Sequence, residues 1–297
     1  METLKKNSGP VMAENPAAVY LGELKSMGRR LLRNKGATLG GIILLFFIAA
    51  ALAAPLLSPH DPGVINALAK LRPPSSTHYF GTDGLGRDIF SRVLFGARLS
   101  LQVGGMVIVT STLLGILFGL AAGYYRKLDN IIMRVLDGFM AFPSIILNIG
   151  IMAALGPSIR NVVIALTFSY SPRMARIVRG AVLVQKEQQY VEAARVLGAG
   201  DFRILMHILP NCMAPIIVQA TMIFAYAILA EASLSFLGVG VPPEIPSWGN
   251  ILAQGRNFIR RAPWITLYSG IIISAAVLSV NQFGDGLRDI LDPKLRR

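Results

Sequence analysis

Along this chain, apolar residues arrive in long unbroken runs separated by short basic or Gly/Pro-rich stretches. Five runs free of Asp, Glu, Lys and Arg reach spanning length: Gly36–Pro59, Leu99–Tyr125, Gly138–Ile159, Ile204–Ala230 and Ala262–Gly284. A helix rises about 1.5 Å per residue, so about 20 apolar residues cross about 30 Å of hydrocarbon. A sixth run, Asn161–Pro172, is too short by itself. It becomes long enough if the helix continues past Pro172 and lets Arg173, Arg176 and Arg179 snorkel toward an interface. Those arginines recur every third residue and share one helical stripe. The pattern predicts an all-α membrane protein with six transmembrane helices.

Six spans put both termini on one side of the membrane. With the termini in the cytoplasm, about 20 of the 29 Lys and Arg fall on the inner side, as the positive-inside rule requires. The resulting organisation is a cytoplasmic tail at 1–35, a first helix at 36–59, an external loop at 60–97, a transmembrane core at 98–284 with an inner loop at about 185–210, and a cytoplasmic segment at 285–297. Ala51-Leu52-Ala53 resembles a signal-peptidase site, but the long leader and the spanning length of the run favour an uncleaved first helix. The tail, with Ser8-Gly9-Pro10 and Asn15-Pro16, reads as solvated. Trp248 and Trp264 bracket part of a second outside segment, about 239–263, and suit anchoring at the headgroups.

Composition changes the picture in two ways. Hydrophobic residues make up 53% of the 297 residues and charged ones 15%, against about a quarter charged in soluble domains. A net charge of +13 would suit nucleic acid, but in so apolar a chain it reads as basic inner loops facing anionic lipid. The one cysteine, Cys212, excludes an intrachain disulfide, and His60, His78 and His207 are too scattered in sequence to predict a metal centre. No Gly-Lys dipeptide occurs, so no phosphate-cradling P-loop can be written. Nor is there a Gly-x-Ser-x-Gly elbow or a His-Glu-x-x-His helix. No catalytic residue, metal ligand or cofactor site is predicted in this chain, which leaves transporter or channel, receptor, or assembly subunit.

The inner loop is the most informative stretch. Tyr190, Ala193, Ala194 and Leu197 recur at helical spacing, Gly198-Ala199-Gly200 breaks the helix, and Asp201 is placed to cap a second short helix bearing Phe202, Leu205 and Met206. Periodicity alone leaves two readings open: a helical hairpin offered to another backbone through small alanines, or an amphipathic hairpin on the inner leaflet.

Glu192-Ala193-Ala194, three residues, Gly198, then an apolar tail ending in Leu209-Pro210 resembles the EAA loop of ABC-importer permease subunits. His207 stands where that pattern often has an aliphatic residue. The resemblance implies a helix docked in a groove of a cytoplasmic ATPase, with coupling roles for Glu192, Ala193, Ala194 and Gly198. Leu197, on the same helical face, joins them as a candidate. Gly81-Thr82-Asp83-Gly84-Leu85-Gly86-Arg87-Asp88 is similar to the first outside loop of dipeptide, oligopeptide and nickel permeases. Leu234-Ser235-Phe236-Leu237-Gly238 with Pro246-Ser247-Trp248-Gly249 is similar to their last outside loop, and Gly284–Pro293 to their C-terminal signature. From the residues alone, Gly81–Asp88 is a structural loop in which Asp83, Arg87 and Asp88 pair locally. Asp285, Arg288, Asp289 and Asp292 recur at helical spacing, as in a short inner helix.

Three further residues stand out within the spans. Glu231 is an acid near the outer end of span five, either a pathway or gating group or a side chain reaching water or a basic partner. Pro143 and Asn148 lie inside span three, where a proline kinks the helix. The resemblance implies the type I importer permease core in spans two to six, preceded by an extra helix. It also implies a homologous second permease, two ATPase subunits that bind ATP and Mg, and an external binding protein, all at the cytoplasmic membrane. Peptide is the substrate expected, with nickel chelates the alternative within the family. A stand-alone secondary transporter is the rival from another class, and would need inward charges and inverted repeats.

Overall fold

The computed structural model describes residues 34–291 together with Gly28 and Leu31. The expectations for the rest of the tail and for Asp292 and Pro293 lie outside the described residues. Among the described residues there is no strand, and one isolated bridge joins Thr82 to Asp88. Helix α1 spans Lys35–Leu52 and ends in a short turn of helix, α2, at Ala54–Leu57. Helix α3 (Ile89–Tyr124) leads into α4 (Arg126–Met140), α5 (Ser144–Leu155) and α6 (Ile159–Gln185). A hairpin of α7 (Gln189–Val196) and α8 (Asp201–Asn211) precedes α9 (Met213–Phe236), and α10 (Trp248–Arg256) and α11 (Pro263–Leu291) complete the fold.

Helices α1, α3, α9 and α11 are each long and apolar enough to cross a membrane. The third expected span is not one helix. Pro143 has no N–H to donate and its ring forbids continuation, so the chain breaks there and α4 and α5 meet at 89°. The bent pair would raise the number of crossing elements to five. Helix α6 runs unbroken through Pro172 for 27 residues, long enough to span but interrupted by arginines. Two of these do not simply snorkel. Arg179 grips Asp129 of α4 through two hydrogen bonds of 2.5 and 2.6 Å, and Arg176 reaches Asp137 at 2.6 Å.

Other boundaries shift for equally physical reasons. Helix α3 starts ten residues before the apolar run, because Asp88 caps it by accepting from the Ser91 backbone N–H. The run Ile204–Ala230 divides between α8 and α9 at Cys212. The last span continues through Gly284 to Leu291, so the expected separate terminal helix is its extension. There Asn34 donates to Asp289 at 3.2 Å, fastening the start of α1 to the end of α11.

The closest packing joins α3 to α6. Gly115, Gly119 and Gly123 line one face of α3, and Met174, Val178 and Val182 of α6 press onto them. A Cβ on Gly119 would stand 2.5 Å from the Val178 Cβ and 2.7 Å from the Ala175 carbonyl. Small residues let two backbones approach where lipid offers no hydrophobic drive for association. Thr110 and Thr167 add a hydroxyl pair at 2.5 Å. Trp248 is fully buried, its indole donating to the Val93 carbonyl at 3.1 Å and its ring edge-on to Phe47 at 5.8 Å. It is a core residue, and the expected anchoring at the headgroups is overturned. A Gly-lined approach (Gly96 beneath its ring) makes room for it.

Candidate functional site

The α7–α8 hairpin is built by a glycine turn. Gly198 sits at φ +77°, a region that side chains with a Cβ rarely enter. Around it the Gly198 N–H donates to the Arg195 carbonyl (2.9 Å) and the Ala199 N–H to the Ala194 carbonyl (3.0 Å). This is the paired bonding that ends a helix at a left-handed residue. Gly200, not Asp201, is the residue flanking α8; Asp201 is the first helical residue. Its carboxylate instead accepts from the Tyr124 hydroxyl at 2.8 Å, and Arg195 lies over the same tyrosine ring at 5.9 Å. The hairpin is thus tied to the far end of α3.

Val191, Ile204 and Ile208 are buried and root the hairpin in the body of the protein. On its other side Val196, Leu197 (86% exposed), Phe202 (77%) and Met206 stand in solvent. Glu192, Ala193 and Gly198 are exposed and Ala194 is half-buried. The structure therefore brings Glu192, Ala193, Ala194, Leu197 and Gly198 together on one projection. Its prominent apolar knobs include Phe202, expected on the apolar side of the second helix, and Val196, which periodicity alone did not single out.

Asn148 and Pro143 belong to a second place. An open cleft of about 490 Å³ is lined by Ser144, Asn148, Tyr170, Tyr226, Ser233 and Phe236, among others. Asn148 is buried and accepts from the Ser169 hydroxyl at 2.5 Å, and Tyr170 donates to the Tyr226 carbonyl at 3.2 Å. Pro143 sits exposed at the elbow one residue before the lining. Glu231 stays apart. Its neighbours Ala230 and Ala232 line the cleft, but its own carboxylate is fully buried and accepts from Ser100 (2.9 Å) and Ser235 (2.9 Å). Among the described residues no basic group pairs with it, and it bridges α3 to α9.

At the start of α3 the Gly81–Asp88 loop holds charges in the interior. Arg87 pairs with Asp83 at 2.7 Å and donates to Gln254 at 2.8 Å; Arg92, fully buried, stands 3.8 Å from the same carboxylate. Trp264 donates to the Thr82 carbonyl at 3.4 Å, and Phe80 stacks on Tyr268 at 4.1 Å. Arg92 was not legible as part of this network, because an isolated arginine before an apolar run reads as an interface anchor. Beside it the fold overturns the scatter of the histidines: the rings of His60 and His78 lie 4.9 Å apart, next to Asp88.

Residues 111–297 match the family described as binding-protein-dependent transport system inner membrane component. The chain belongs to that family. Residues 23–74 also match the N-terminal transmembrane domain of oligopeptide transport permease C. A putative peptide transport system permease of Brucella abortus is 52% identical, over 90% of this chain and 91% of the relative. A dipeptide transport system permease of Alkalihalophilus pseudofirmus is 47% identical (90% and 89%), and a di/tripeptide permease of Pseudomonas aeruginosa 44% (96% of each). Among solved structures, a chain of the MetNI methionine ABC transporter in an inward-facing conformation aligns with a TM-score of 0.57 at 18% identity, over 69% of this chain and 98% of that one. The protein is therefore an all-helical, multi-pass inner-membrane permease of the type I importer fold, not a catalytic subunit.

Proposed function

We propose that this permease is one transmembrane half of an ATP-driven, binding-protein-dependent peptide importer. A homologous permease completes the pathway, and two ATPase subunits supply the work. The reading is supported by peptide-permease relatives at 44–52% identity along nearly the whole chain. Its carrying observation is the hairpin of α7 and α8, whose apolar tip is exposed on a rooted, glycine-turned base. A cytoplasmic ATPase groove takes Val196, Leu197 and Phe202, with Glu192 and Ala193 against its wall. On this reading the hairpin and both termini lie inside, and the Gly81–Asp88 loop outside.

Transport then proceeds by rigid-body rocking. Closure of the ATPases moves the docked hairpin, Val191, Ile204 and Ile208 pass the displacement to the spans, and the Asn148–Tyr170–Tyr226 cleft belongs to the pathway that opens and closes. The polar groups of that cleft suit the amide backbone of a peptide, and its apolar walls tolerate varied side chains.

Gly198→Pro tests the coupling. Proline holds φ near −65°, which the turn at +77° excludes. The variant should insert in the membrane and assemble with the second permease while uptake of labelled dipeptide and peptide-stimulated ATP hydrolysis collapse; Glu192→Lys should act in the same direction. Full transport by both variants would remove the assignment.

A further inference from the structure

Between α1 and α3 the chain doubles back so that His60 and His78 stand side by side at the foot of α3. Asp88 is buried beneath them and uses both oxygens. Its Oδ2 accepts from the Ser91 backbone N–H (2.8 Å) and hydroxyl (2.7 Å), capping the helix, and its Oδ1 lies 2.8 Å from His78 Nδ1. His60 Nε2 is 2.9 Å from the Thr77 carbonyl. A carbonyl only accepts, so Nε2 carries the proton and Nδ1 of a neutral ring keeps its lone pair. The His60 backbone is anchored as well, its N–H donating to Ser91 Oγ at 3.3 Å.

One ligand atom from each of His60, His78 and Asp88 lies within 4.8 Å of the other two. Two imidazoles and a carboxylate are the donor set of a Zn²⁺-class site that leaves a fourth position to water. Metal bonds of about 2.0–2.2 Å in a tetrahedral site ask for ligand atoms about 3.3 Å apart. Asp88 is fixed by its cap, so the histidines adjust: the exposed His60 side chain moves in, and His78 Nδ1 withdraws by about 0.5 Å from its present 2.8 Å. The Thr77 carbonyl on His60 supplies the second hydrogen bond that commonly fixes the tautomer of a ligating imidazole.

We propose that His60, His78 and Asp88 form a binding site for a divalent transition cation of the Zn²⁺ class, which clips the segment before α3 to the start of that helix. The cation takes the position between His78 Nδ1 and Asp88 Oδ1, the His78 ring proton moves to Nε2, and Asp88 Oδ2 keeps its cap. The clipped segment carries Lys70, exposed and followed by Leu71, so its order can be read with trypsin. The site is independent of which substrate the permease carries.

The test uses the intact complex, carrying an affinity tag without histidine and stripped with chelator. Co²⁺ is the probe, because its visible absorption reports coordination, and Zn²⁺ is the competitor. The expected result is saturable uptake of one Co²⁺ per copy of this chain, displaced by Zn²⁺, with affinity at least about tenfold weaker in His60→Ala and in His78→Ala. Zn²⁺ should also slow tryptic cleavage after Lys70 in the parent and not in the two variants. His60→Ala alters an exposed side chain, and an unchanged tryptic pattern without metal certifies its fold. No saturable uptake, uptake undiminished in both variants, or cleavage indifferent to Zn²⁺ would each overturn the proposal.

Discussion

The two ends of α3 have opposite characters. At its start, Asp83, Arg87 and Arg92 are buried together: Arg87 bonds to Asp83 and Gln254, and Arg92 stands beside the same carboxylate with its Nε unpartnered. At its far end, about 54 Å away by helical rise over 36 residues, the α7–α8 hairpin shows Val196, Leu197, Phe202 and Met206 to solvent. One end hides charge and the other displays hydrophobic surface, each against the usual preference. Buried charge gathered around a carboxylate of the same chain speaks of a scaffold. Exposed apolar side chains on a firmly rooted turn speak of a surface finished by something else.

The strongest way to break that contrast is at the buried end. Asp83→Ala leaves two arginines in the interior without their carboxylate, and removing one partner of a buried pair costs about 3–5 kcal/mol. Loss of expression or a large fall in thermal unfolding temperature in detergent is expected; an unchanged transition would mean the network is solvated. At the hairpin the expectation reverses. Leu197→Asp should leave the unfolding transition of the isolated chain within about 0.5 kcal/mol, as for surface substitutions generally. Uptake should fall at least tenfold, measured in membranes with matched protein levels.

A middle case lies between the two ends. Gly119→Val forces a side chain into the Val178–Ala175 contact, and overpacking of this kind costs about 1–3 kcal/mol. Denaturant unfolding would register it, and a neutral result would show that α3 and α6 can move apart freely. The smallest effect concerns Cys212, where burial pushes the thiol up to about 11. The thiolate is the reactive form, so maleimide should leave Cys212 unmodified at neutral pH and label it only as pH rises toward that value or the protein unfolds. The silent native thiol makes Ser76→Cys, at an exposed position, a clean reporter: labelling from the outside alone supports the topology, and labelling from the inside alone overturns it.

Much was legible in the sequence itself. Length and absence of charge mark the apolar parts of α1, α3, α9 and α11, since hydrocarbon tolerates little else. The spacing of Arg173, Arg176 and Arg179 gave one stripe on a helix continuing past Pro172, and Glu192-Ala193-Ala194 with Gly198 marked the hairpin. Local chemistry decides such features: a glycine at a helix end, an uncharged run, a missing P-loop.

Tertiary structure decided the rest. Pro143 accompanies a break of 89° whereas Pro172 is carried inside an unbroken α6, and periodicity is silent on which of the two a proline will do. Whether Glu231, Arg92 and Trp248 face lipid, water or protein depended on partners remote in the chain, Ser100 for the acid, Gln254 for the arginine, Val93 for the indole. The pairing of His60 with His78 has the same origin. Sequence determined which segments leave water and where the chain must turn, because those are costs borne residue by residue. Which charges are neutralised, and which apolar side chains are left for a partner, followed only from packing, because each such energy belongs to a pair of groups brought together by the fold.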